Sequence, residues 1–114
     1  MAGTDLELLK GTLDVLILKA LAWGPRHGYS ITRWIADTTG STLVVEEGAL
    51  YHALHRQEQK RWIEGEWGVS DAGRRAKYYD LTPLGRKQLV AKTAAWTRYA
   101  DAVTAALRTT DARA

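Results

Sequence analysis

The hydrophobic period of this chain changes twice, at Trp62 and at Thr82-Pro83, and any fold must accommodate both changes. Before Trp62, apolar residues recur at three- and four-residue spacing, the mark of helices with one face inward. From Trp62 the period is two: Ile63, Gly65, Trp67 and Val69 alternate with Glu64, Glu66 and Gly68. Such alternation reads as a half-buried strand. Ser70-Asp71-Ala72-Gly73 is a turn cluster, and Ala76 to Leu81 reads as a second strand. Tyr78 and Tyr79 must point to opposite faces of it, so at least one is core. Threonine is a good N-cap and proline suits the first helical position, so Thr82-Pro83 opens a helix again. The pattern is helices, one hairpin, then a last helix, an α+β chain.

The first helix spans residues 5–22, with Thr4 or Asp5 as cap and Gly24-Pro25 as stop. Leu6, Leu9, Leu13, Leu16, Ile17, Ala20 and Leu21 form one apolar stripe. Leu8, Val15, Leu18 and Ala22 form a second on the opposite side, and a helix apolar on two faces needs two partners. Gly28 to Asp37 is a short second helix, residues 38–45 a turn with an extended piece, and Glu46 to Lys60 a third helix. Glu46 and Glu47 suit the positive end of its dipole, where capping explains them better than acid chemistry. Leu50, Ala53, Leu54 and Gln57 share its inner face, which Gln57 interrupts. The last helix runs to about Leu107, roughly 38 Å. Its stripe of Leu89, Trp96, Tyr99, Val103 and Leu107 predicts a partner chain.

Composition narrows the function. The 114 residues suit one domain, with 46% hydrophobic and 25% charged residues as in ordinary globular proteins. With no cysteine, disulfide scaffolds, zinc fingers and thiol nucleophiles are excluded. No apolar run reaches membrane-span length. Asp5 and Glu7 precede the first apolar stretch without a basic lead, so the expectation is no secretory signal and a cytoplasmic location. No nucleophile–base pair, phosphate loop or metal cluster points to an enzyme or a cofactor. The net charge is +3, and residues 70–92 hold six basic against two acidic side chains. That excess is a patch centred on Arg74, Arg75 and Lys77 at the hairpin's outer end.

Three helices followed by a basic-tipped hairpin is the winged helix-turn-helix arrangement, in which the third helix enters the DNA major groove and the hairpin touches the backbone or minor groove. A groove-reading helix needs small residues where its backbone approaches DNA: Gly48 and Ala49 are small. Tyr51, His52, His55 and Arg56 project from its outer side. His27 and Tyr29 at the second helix's start join this DNA-facing set, although His27 reads equally as a helix cap. His52 and His55 have a spacing metals use, but without a third clustered ligand they read as groove-facing polar residues.

Four stretches carry a family resemblance: Leu9 to Leu21 (LKGTLDVLILKAL), His27 to Ile31 (HGYSI), Glu47 to Arg56 (EGALYHALHR) and Gly73 to Thr82 (GRRAKYYDLT). The chain resembles the PadR-like transcriptional regulators, of the short type with a single C-terminal dimerisation helix. The resemblance covers roughly residues 6–107. It implies a homodimeric DNA-binding repressor, often released by a small molecule. Members are usually apolar where this chain has Gln57 and usually have glycine where it has Arg61, a position suited to a left-handed helix cap. In relatives with one C-terminal helix, a tryptophan there stacks with its symmetry mate around flat aromatic ligands. The resemblance thus implies that Trp96, with Tyr99, lines an effector site, while composition alone reads Trp96 equally as dimer core.

The expected organisation is a winged helix-turn-helix domain over 5–82 and a dimerisation helix over 83–108. The expected interface comprises Leu8, Val15, Leu18, Leu89, Trp96, Val103 and Leu107. A C2 dimer with reading helices about 34 Å apart matches a palindromic operator on double-stranded DNA. The rival is a winged helix used only for protein–protein contact, which the basic wing argues against.

Overall fold

The computed structural model describes residues 10–110. In chain order the elements are α1 (Lys10–Ala20), β1 (Arg26–His27), α2 (Gly28–Thr38), α3 (Glu47–Gln59), β2 (Ile63–Val69), β3 (Arg75–Leu81) and α4 (Pro83–Leu107). The three strands form an antiparallel sheet in the order β1-β3-β2. The hairpin register places Ile63 opposite Leu81, Gly65 opposite Tyr79, Trp67 opposite Lys77 and Val69 opposite Arg75. Strand β1 adds to the expected hairpin on its β3 side, with Arg26 opposite Tyr79 and His27 opposite Tyr78. Two residues between Pro25 and Gly28 are too few to show a period, which hid this strand.

The core is built from Ile17, Leu18 and Leu21 around α1, Ile31 and Ile35 of α2, Leu50 and Leu54 of α3, and Ile63, Tyr79 and Leu81 of the sheet. Helix α1 lies at the centre, against α2, α3 and α4 of its own chain. That packing corrects one expectation. Val15 and Leu18, assigned to a second chain, are 8% and 0% exposed within this one. The first turns of α4 also pack beside α1 within the same chain. Leu8, assigned to the second chain with them, lies outside the described residues. Leu89 also packs against the chain's own core and keeps only part of its surface.

The buried Gln57 is half satisfied. Its Nε2 donates to the Asp14 backbone carbonyl at 3.1 Å and to the Asp14 carboxylate at 3.3 Å, while its Oε1 has no partner. The Asp14 carboxylate also pairs with Arg56, so a polar knot joins α1 to α3.

Helix α3 ends in a Schellman turn: the Trp62 N–H bonds to the Gln57 carbonyl and the Arg61 N–H to the Glu58 carbonyl, both at 3.0 Å. Arg61 is the left-handed residue, with φ 63°, where glycine is usual. Thr82 then caps α4, its hydroxyl accepting from the Gly85 N–H at 2.9 Å and donating to the Arg61 carbonyl at 2.6 Å. Gly85 is buried against the Trp62 carbonyl, and a methyl group there would collide with that oxygen.

Two glycine exchanges at this corner therefore act in opposite directions. Arg61→Gly relieves a left-handed side chain and raises stability by about 1 kcal/mol. Gly85→Ala drives a methyl into backbone and lowers it by about 1–3 kcal/mol. Thermal unfolding of the two variants checks the signs: Arg61→Gly melts several degrees above the parent chain and Gly85→Ala several below.

Candidate nucleic-acid interface

The apolar spacing of α3 fixes which of its sides meets solvent. Leu50, Ala53, Leu54 and Gln57 are buried, so Gly48, Tyr51, His52 and His55 stand exposed on the far side, with Ala49 half-buried at the flank. Arg56 is a correction. It does not project from the outer side but turns back to the Asp14 carboxylate of α1. Its position beside buried Ala53 and Gln57 places it on the flank nearer α1.

The hairpin's inner face continues the sheet's core face past the last buried residue. Ile63, Tyr79 and Leu81 are buried, and beyond them Trp67, Val69, Arg75 and Lys77 follow on the same side. Gly73, at φ 77°, closes the turn, and the Ser70 N–H bonds the Arg74 carbonyl at 2.7 Å. Arg74 and Arg75 are exposed. The Arg75 guanidinium lies 4.5 Å from the centre of the Trp67 ring, and Trp67 remains 57% exposed. Lys77 is a second correction. Its ammonium turns inward to the Glu58 carboxylate of α3 at 3.1 Å instead of standing free at the wing tip.

Between α3 and this inner face opens a cleft of about 790 Å³, walled by Tyr29, Tyr51, His55, Trp67, Arg75 and Tyr79 among others. His27 sits at its edge as the N-cap of α2: its Nδ1 accepts from the Ser30 N–H at 3.2 Å. The cap reading of this residue is therefore realised. Its ring meets Tyr78 edge-on, with centroids 5.2 Å apart. Tyr29 is exposed, and its hydroxyl accepts from Arg33 at 3.2 Å.

Three residues of this surface escaped the sequence reading. Arg33 follows Tyr29 by one helical turn on the exposed side of α2. Trp67 shares the period-two set of Ile63 but lies beyond the core, which is the signal for an exposed inner-face aromatic. Glu58 lies on the side of α3 nearest the wing; only the hairpin's position reveals that.

Helix α4 carries the remaining candidates. Trp96 and Tyr99 are 39% and 64% exposed with ring centroids 6.0 Å apart, and Val103 and Leu107 continue the exposed stripe. Among the described residues there is no group of three metal-ligating side chains and no helix long and apolar enough to cross a membrane.

A helix with an exposed polar side beside a cation-bearing hairpin is the surface a winged helix presents to DNA, and the sequence profile of the PadR-like transcriptional regulator family matches residues 17–91. The chain belongs to the PadR-like family. It is similar to a transcriptional regulator of Clostridium thermocellum, at 30% identity and TM-score 0.77 over 86% of this chain and 95% of that one. A PadR-like transcriptional regulator of Bacillus cereus gives TM-score 0.77 and 28% identity over 91% of this chain and 99% of that one. An uncharacterized protein of Lysinibacillus sphaericus is 36% identical over 79% of this chain and 83% of its own length. The fold is thus a winged helix-turn-helix, and this PadR-like chain is a DNA-binding transcriptional regulator.

The cleft floor has a titration signature. Burial pushes the Tyr79 phenol above its ordinary value, with Glu58 and Tyr51 adding and Lys77 opposing. The unfolded chain ionises this tyrosine near pH 10 while the native chain does not. Its contribution to stability is therefore present below pH 10 and is lost as pH rises toward the native value. Tyrosinate absorbance checks this: of the five tyrosines in the native chain, the one that Tyr79→Phe removes titrates late.

Proposed function

We propose that this PadR-like regulator is a homodimer that binds a palindromic operator and represses transcription until a small aromatic or hydrophobic ligand releases it. The observation that carries the reading is the far half of α4. From Thr93 to Thr110 every residue except the half-exposed Ala100 is exposed, yet Trp96, Tyr99, Val103 and Leu107 run along it as an apolar stripe. A helix uncovered on all sides is marginal in water, and an apolar stripe on it calls for a partner helix. A second copy supplies a matching stripe about a two-fold axis.

In that assembly the outer face of α3 reads base edges through Tyr51, His52 and His55, with Gly48 and Ala49 allowing close approach. Arg74 and Arg75 neutralise phosphate at the wing. His27 and Tyr29 flank the backbone at the start of α2. Two α3 helices one DNA turn apart match a palindromic site. Ending the chain after Thr93 removes the exposed half of α4 and spares Leu89. The shortened chain is expected to be a monomer by light scattering. Its affinity for the upstream DNA, read in gel shifts at rising salt, falls by at least about 10²-fold through lost avidity. A shortened chain that stays dimeric, or binds as tightly, excludes this assembly.

The effector reading rests on Trp96 and Tyr99. Two Trp96 rings meeting across the axis leave a slot in which a planar aromatic compound stacks, each ring pair worth about 0.5–1.5 kcal/mol beyond area burial. A ligand there biases the dimer toward the shape it prefers, by its differential affinity for the two shapes. Titrating planar aromatic dyes against tryptophan fluorescence tests it. Quenching is expected in the parent chain and is lost in Trp96→Ala; equal binding to both chains makes Trp96 a packing residue only.

A further inference from the structure

The two cations of the wing's inner face have different surroundings. Arg75 and Lys77 alternate along β3 and both lean toward the base of the hairpin. Arg75 stops over Trp67, while Lys77 passes 5.5 Å from the centre of the Tyr79 ring and reaches the Glu58 carboxylate of α3. The Lys77 and Glu58 side chains are 30% and 31% exposed, so each is about two-thirds covered. Gly65 makes the crossing feasible. A side chain at 65 would occupy the space of the Lys77 stem, and its Cβ would stand 3.1 Å from the Glu58 Oε2.

We propose that Lys77 and Glu58 form a clasp between the wing and the reading helix, with Gly65 as the gap it threads, and that the clasp stays closed on DNA. Lys77 is then a positioning residue for DNA binding and not a phosphate contact. The inference rests on the DNA-interface reading above. Two physical arguments keep the clasp closed. Opening it would leave a partly covered carboxylate unpaired on a surface that approaches a polyanion, and like-charge juxtaposition is costly. Arg74 and Arg75 are the more exposed cations and meet phosphate first. The device fixes the distance between the wing and α3, the two elements that must fit the duplex together.

The full chain is tested on a duplex that the parent chain itself selects from a random pool. Lys77→Met alone is expected to weaken binding about tenfold. The charge-reversed pair, Lys77→Glu with Glu58→Lys, restores binding to within about threefold, with the parent's salt dependence. A phosphate contact at 77 predicts otherwise: the reversed pair loses one contact and its salt slope falls by about 0.9. A reversed pair as weak as Lys77→Met, or a Lys77→Met chain that binds like the parent, overturns the clasp. Unfolding midpoints without DNA give a second readout. The losses in Lys77→Met and Glu58→Gln are expected not to add in the double variant; additive losses overturn the clasp whether or not DNA binds. A parent chain that binds no duplex instead overturns the DNA-interface reading.

Discussion

The Thr82 hydroxyl holds the molecule's working parts in register. It accepts from the Gly85 N–H, which starts α4, and donates to the Arg61 carbonyl, which ends α3. The Thr82 N–H, at the end of the wing, bonds the Trp62 carbonyl at 3.0 Å. One residue thus joins the end of α3, the base of the wing and the start of the long helix. Thr82, Trp62 and Gly85 are buried, so the polar groups they carry must find partners inside the protein. Gly85 lets α4 approach the Trp62 carbonyl closely, and the Trp62 ring is flanked by the Lys60 and Lys92 ammonium groups at 4.7 and 4.9 Å. Lys92 belongs to α4 and Lys60 to the end of α3, so the ring carries the same connection outward to the surface.

Electrostatics divides the wing more finely than a count of positive charges does. The sequence places Arg74, Arg75 and Lys77 together, and by charge alone they are equivalent. The structure separates them by direction. Arg74 stands at the turn, Arg75 sits over the Trp67 ring, and Lys77 is committed to Glu58. Arg56 is likewise committed to Asp14. Both commitments bind α3 to its surroundings, Arg56 to α1 on one flank and Lys77 to the hairpin on the other. Helix α3 is therefore braced on both sides by ion pairs while Tyr51, His52 and His55 on its outer face stay exposed.

Much of this fold was legible in the sequence because period is a local signal. The change at Trp62 and the return at Thr82-Pro83 located the hairpin and the last helix, and the spacing of Leu50 and Leu54 oriented α3. What stayed hidden depends on neighbours distant in sequence. Strand β1 is two residues long and is defined by pairing with β3, its partners 51 and 53 residues away in the chain. Val15 and Leu18 looked available to a second chain because no local pattern says that α1 is surrounded by three other helices of its own chain. The paths of Arg56 and Lys77 are set by Asp14 and Glu58, partners 42 and 19 residues distant. The left-handed Arg61 is the opposite case: a local rule identified the position, and the backbone adopts φ 63° with the disfavoured residue in place.

These features together determine how motion can travel through the chain. Helix α4 is rigidly seated where it begins, by the Thr82 cap and the close approach of Gly85, and it is uncovered where it ends. A force applied near Trp96 therefore acts on a long lever whose fulcrum is the corner that also ends α3 and carries the wing. The Thr82 hydroxyl and N–H and the Gly85 N–H all have partners at that corner, which resists its bending. Rotation of α4 in the proposed dimer carries α3 and the hairpin with it, and the proposed Lys77–Glu58 clasp keeps their spacing. In the proposed dimer, an effector at the α4 stripe acts on DNA binding by re-aiming two intact reading heads. Each head keeps its own contact surface; what changes is the separation between them, and a palindromic duplex accepts only a narrow range of that separation.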